Sequence, residues 1–201
     1  MPRALGQIDV RKHEAILDAA VEVLAERGVH APIEEVARRA GVSKQTIYNH
    51  YGSKTELVRT LVERRRSRIT TPLDRAAPGD RVEDTLTSYA QAILELIVSP
   101  NSIQLLRMGV TSASEMPDLA RTIYDAGTRA SRRRLAEFLA SASRTEVVVD
   151  DPVQAADVFL GIVTGGVQIR LLLGLETEIP QEDIPARARD CAHRFVRAYA
   201  P

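Results

Sequence analysis

The chain of 201 residues (22.1 kDa) is long enough for one large domain or two small ones. Hydrophobic residues at 44% and charged residues at 27% place it among globular rather than disordered chains. Lys+Arg and Asp+Glu tie at 27 each, which excludes a global charge that would draw the whole molecule to nucleic acid or membrane, and a single cysteine, Cys191, excludes an internal disulfide framework or a cysteine-rich zinc site.

The opening residues, MPRALGQIDVRKHE, lack the apolar core of a secretory signal. The most apolar stretch, 156–175, is interrupted by Asp157, Gln168 and Arg170 and holds four glycines, which argues against a membrane span. The expectation is a soluble, cytoplasmic protein with no membrane partner.

Apolar residues recur at helical spacing almost throughout, and strand-type alternation is nearly absent, so the fold class is all-α. A first helix is expected over 10–27, with Ile16, Ala20, Val23 and Leu24 on one face and Gly28 as its stop. A second starts with Pro32 and reaches residue 39 or 40; a third begins after Ser43 and ends near His50. The fourth opens on Ser53-Lys54-Thr55-Glu56, the pattern of a capping box, and continues through Leu57, Leu61 and Val62. After a linker at 72–80, longer helices are expected at 81–99, 101–114, 117–142, 152–173 and 181–200. Val147-Val148-Val149 reads as a loop. The layout is a three-helix N-terminal head (1–52), then a connecting helix and a five-helix body (53–201).

Charge is balanced globally but not locally. Residues 1–68 carry 13 Lys+Arg against 9 Asp+Glu, a net of +4, and residues 69–201 carry 14 against 18, a net of −4. Within the basic part, residues 33–51 (IEEVARRAGVSKQTIYNHY) place two short helices around Ala40-Gly41-Val42. Gly41 suits the turn, Ala37 permits a close crossing, and Val36, Val42 and Ile47 are spaced to fill the gap between the helices. That is the steric pattern of a helix-turn-helix. Its second helix would project Lys44, Gln45, Thr46, Tyr48 and Asn49, donors and an aromatic ring without a carboxylate, as a surface for phosphates and base edges requires. The plainer reading of the segment is a helical hairpin that only packs.

The stretch AGVSKQTIYNHYGSKTEL resembles the DNA-binding signature of the TetR family of transcriptional regulators, over about residues 10–62. Ala31 departs from it, standing where the family usually has a helix-capping Thr; Tyr51 replaces the commoner Phe, and Gln45 occupies a position often small. The resemblance implies that Tyr48 and Lys54 hold phosphates and that Lys44, Gln45 and Thr46 face the major groove. In that arrangement Gln45 would read adenine, Lys44 would approach guanine, and the Thr46 methyl would touch thymine. Ser43 and Asn49 complete the implied DNA-binding set, and His50 either touches phosphate or is structural.

Arg64, Arg65, Arg66 and Arg68, like Arg129, Arg132, Arg133 and Arg134, read as solvated faces. In the body, isolated polar or soft residues among apolar ones (Tyr89, Arg107, Met108, Thr111, Tyr124, Thr128 and Gln168) are candidates for a small-molecule pocket, although the same set describes ordinary helix surfaces. The resemblance implies a homodimer built from the last two helices, with Gly161, Gly165 and Phe195 as candidate contacts; the alternative is a bent core helix. From Arg107 to about Gly174 the body also resembles, more loosely, the C-terminal domain of AefR-like members. No catalytic, cofactor or metal motif is evident, so an enzyme is not expected. The expected function is a repressor released from a palindromic double-stranded DNA operator by a small-molecule effector. The alternatives are an activator, a corepressor-dependent regulator, or a helical interaction module without DNA binding.

Overall fold

The computed structural model describes residues 9–142, 146–175 and 180–201, so residues 1–8 of the expected head lie outside the described part. Four helices come first: α1 (Val10–Arg27), α2 (Ile33–Ala40), α3 (Lys44–Tyr51) and α4 (Lys54–Arg75). They are followed by α5 (Val82–Ile97), α6 (Pro100–Thr111) and α7 (Pro117–Tyr124), then a π-helical turn at Asp125–Arg129 leading into α8 (Ala130–Ala142). The last are α9 (Pro152–Thr164), α10 (Val167–Leu173) and, after a 3-10 turn at Gln181–Asp183, α11 (Ile184–Ala198).

Two compact units form. One holds the chain up to Arg64 together with Gln104–Ala126; the other holds Arg65–Ile103 and Gly127–Pro201. The first unit extends beyond the three-helix head because its core needs more apolar surface than three short helices provide. Ile16, Leu17, Ala20, Val23 and Leu24 of α1 pack with Val36, Ala37 and Ile47, and α4 adds Leu57, Val58 and Leu61. Leu105 and Met108 of α6 and Leu119 of α7 complete the cluster. Gly41 closes α2 in the left-handed region (φ 66°), where glycine has no Cβ to clash, and the Val42 N–H donates to the Ala37 carbonyl at 3.0 Å. Arg64 is not on a solvated face: its side chain is mostly buried and donates to Glu14 at 2.6 Å and Asp18 at 2.8 Å, fastening α4 to α1.

The second unit is centred on three fully buried rings. Tyr89 and Phe159 stack at 6.1 Å, and Phe159 meets Phe195 edge-on at 5.2 Å. The Tyr89 hydroxyl is satisfied by Ser131 Oγ at 2.7 Å, and burial pushes its pKa up to about 12. Residues 147–149 are irregular, as expected, but not peripheral. Val147 and Val149 are buried, and the Val148 N–H donates to the Tyr199 carbonyl at 2.7 Å. Arg134 and Arg132 are likewise tied, to Asp74 at 2.6 Å and to Asp157 at 3.1 Å.

Three expected boundaries differ. Helix α4 runs through Pro72 to Arg75, because a proline so near the end removes one backbone bond from a turn already anchored by Leu73 in the core. The run expected at 117–142 is divided by the π-helical turn. The run expected at 152–173 breaks at Gly165-Gly166, both in the left-handed region (φ 38° and 77°), and bends by 53°. A Cβ on residue 165 would stand 3.2 Å from the Ile162 carbonyl oxygen. Gly165→Ala should therefore cost about 1–2 kcal/mol of stability through left-handed strain alone, measured as a lower urea midpoint with an unchanged slope.

Candidate nucleic-acid interface

Helix α3 is initiated by Ser43, whose Oγ accepts the Thr46 N–H at 3.0 Å and lies 2.8 Å from Thr46 Oγ1. Its inner face buries Ile47 and Tyr51, which fixes its rotation and leaves Lys44, Gln45, Tyr48 and Asn49 exposed. None of its eight residues is acidic. The outward groups engage one another: Gln45 Nε2 donates to Asn49 Oδ1 at 2.6 Å, and the Lys44 ammonium lies 5.6 Å from the centre of the Tyr48 ring. Lys44 also forms an ion pair with Glu34 on α2. The hydrogen bond from Lys44 holds the Glu34 carboxyl below its usual range, and Glu34 in turn raises the Lys44 pKa.

Two residues of the implied DNA-binding set have partners within the chain. The Lys54 ammonium donates to the backbone carbonyls of Val29 and Ala31, tying the start of α4 to the turn between α1 and α2. Those carbonyls attract the cation because no helix uses them, and partial burial lowers the Lys54 pKa. His50 turns towards α1: its Nε2 lies 3.3 Å from His13 Nδ1, and the Tyr51 hydroxyl lies 2.9 Å from the same nitrogen. Burial first, then the nearby His50 charge, lowers the His13 pKa, with Glu14 opposing and Arg64 adding slightly. Half of the expected capping box is present, since Ser53 Oγ accepts the Glu56 N–H at 3.1 Å, but the Glu56 carboxylate is taken by Arg59. Glu34 and His13 were not among the sequence candidates; each meets its partner across two helices, a pairing that linear spacing does not encode.

The arrangement thus combines a glycine-turned helix pair with a polar, carboxylate-free outer face on the second helix. Residues 16–61 match the family described as bacterial regulatory proteins, tetR family, and residues 84–201 match the AefR-like transcriptional repressor, C-terminal domain. The chain belongs to the TetR family. Its named relatives are helix-turn-helix transcriptional regulators.

Among similar proteins, the HTH-type transcriptional repressor Rv3405c of Mycobacterium tuberculosis is 29% identical over 112 residues, covering 55% of this chain and 60% of that protein. The chain therefore aligns with somewhat less than two thirds of that relative's length. The flavonoid-responsive regulator FrrA is 30% identical with a TM-score of 0.67, covering 96% of this chain and 99% of that one. A TetR regulator from Agrobacterium tumefaciens is 26% identical with a TM-score of 0.75, covering 96% of each.

The TetR body residues expected to line a pocket fall into both units. Arg107, Met108, Thr111 and Tyr124 belong to the first, and Tyr89, Thr128 and Gln168 to the second. Met108 and Tyr89 are core residues: Met108 is in the first cluster, and Tyr89 spends its hydroxyl on Ser131. Thr111 Oγ1 bonds back to the Arg107 carbonyl at 2.9 Å. An open cleft of about 520 Å³ lies instead along Arg65, Arg68 and Ile69 of α4 and Ala92 and Leu96 of α5. Of the expected dimer contacts, Gly161 and Gly165 are exposed, whereas Phe195 is 0% exposed because its ring completes the second core. Among the described residues no single helix is long and apolar enough to cross a membrane.

Two measurements follow from this geometry. Lys54→Met should lower stability by about 1–3 kcal/mol, the worth of charged hydrogen bonds to two carbonyls, read by urea unfolding. Because folding disfavours protonated His13, the unfolded chain binds that proton more tightly. Stability should be full above the ordinary histidine value near 6.5 and decline as pH falls below it. His13→Gln should flatten that decline in urea midpoints taken between about pH 7.5 and 5.5.

Proposed function

We propose that the protein is a homodimeric repressor that grips a near-palindromic operator and leaves it when a small organic effector binds. The observation that carries the reading is the outer face of α3, where Lys44, Gln45, Tyr48 and Asn49 are exposed together with no acid on the helix. Gln45 and Lys44 serve as base readers, adenine and guanine being their natural partners, while Tyr48 supports the phosphate backbone. Ser43 and Thr46 cap and orient the helix and offer Thr46's methyl group to thymine. Lys54 acts one step back, holding the frame in which α3 sits. The AefR-like repressor match and the name of the mycobacterial relative favour repression over activation.

A two-fold dimer would place two recognition helices on successive major-groove faces. Its supporting surface is the outer side of α9 and α10, where Val158, Gly161, Gly165, Ile169 and Leu173 are exposed at nearly helical intervals. Apolar residues at that density on a water-facing helix favour association. The effector site we favour is the cleft beside α4, because that helix is continuous from the recognition unit to the body. FrrA is flavonoid-responsive, which makes small aromatic compounds suitable first probes.

Incubating the protein with fragmented DNA of its source and sequencing what it retains tests the reading. A short inverted repeat near a promoter is expected; uniform retention, or none with cell extract supplied, would overturn it. Gln45→Ala should relax preference at one base position of each half-site, by about 1–3 kcal/mol of discrimination. Ile169→Glu, 53% exposed in the single chain, should give a folded monomer by sedimentation and lose operator binding.

A further inference from the structure

We infer that Glu34 is a selectivity residue, holding the Lys44 ammonium away from DNA unless a cognate base is present to exchange for it. The inference rests on the reading that Lys44 faces bases. Lys44 is the first residue of α3 and Glu34 the second of α2, and the turn at Gly41 brings them into a hydrogen-bonded ion pair. The neighbouring acid, Glu35, is engaged differently, with Arg38 at 2.5 Å and Arg39 at 3.5 Å, so Glu34 is the carboxylate assigned to the recognition helix. The Tyr48 ring, its centre 5.6 Å from the ammonium, is a second neighbour on the same helix. Gln45, the second base reader, is likewise engaged before any DNA arrives, through Asn49.

A free surface lysine binds any phosphate it meets, which raises affinity for all sequences alike. A lysine already paired must give up its carboxylate first, and a lone phosphate contact in water returns little more than it costs. Guanine O6 and N7, presented in register with the other α3 contacts, return more. The carboxylate left behind also repels the phosphate backbone. Non-cognate binding therefore suffers more from Glu34 than cognate binding does, the pattern by which a repulsive element sharpens recognition.

The test compares binding to a randomised duplex with binding to the fragment that the wild-type protein selects from it. Glu34→Gln should tighten the randomised duplex roughly three- to ten-fold and steepen its salt dependence by about one counterion, while the selected fragment gains less. In a Lys44→Gln background, Glu34→Gln should do much less. Both residues are exposed, and circular dichroism checks that each variant is folded. Equal tightening of both duplexes, no tightening of either, or the same effect without Lys44 would each overturn the proposal. A wild-type protein that selects no fragment would remove the base-reading assignment and this inference with it. A wild type that selects normally beside an equally selective Glu34→Gln variant would remove this inference alone.

Discussion

Helix α4 belongs to two hydrophobic cores, and the rest of the molecule is organised by that double membership. Leu57, Val58 and Leu61 near its start lie in the cluster that holds the recognition helix, and Leu73 near its end lies in the cluster around Tyr89, Phe159 and Phe195. Between them, Arg64 is bonded to two acids of α1, and Arg65 donates to Ser102 at 2.9 Å. The two ends of this 22-residue helix are thus each fixed in a different apolar cluster.

Around α3 several cations are already engaged within the chain. Lys54 is held by carbonyls, Lys44 by Glu34, and Arg39 by Glu26 at 2.7 Å. The aromatic cluster of His13, His50 and Tyr51 behind α3 performs a different task, fixing the end of the recognition helix against α1 through ring contacts and two hydrogen bonds.

The helix-turn-helix was legible from sequence because its determinants are local. A glycine that alone tolerates the left-handed turn, a small residue at the crossing and an apolar residue every third or fourth position act over fewer than twenty residues. The exposed face of α3 followed from the same periodicity, since burying Ile47 and Tyr51 leaves Lys44, Gln45, Tyr48 and Asn49 outside. What a long polar side chain does at the surface was not legible. Lys54, His50 and Arg64 have partners 23 to 50 residues away, and nothing in the local pattern names them. The body was hardest to read for a related reason: a polar atom in an apolar helix marks a ligand pocket or a satisfied core with equal force until its partner is known, as with Tyr89 and Ser131.

The amino-acid sequence by itself determined the all-α class, the turn at Gly41 and the face that α3 turns outward, because backbone sterics and apolar periodicity act within a helix or two. Tertiary structure alone decided that 104–126 joins the recognition unit, that Phe195 faces inward and that Lys44 meets Glu34. Those outcomes depend on which apolar stripes find each other and which charges that packing brings within hydrogen-bond reach, quantities that exist only once the chain has folded.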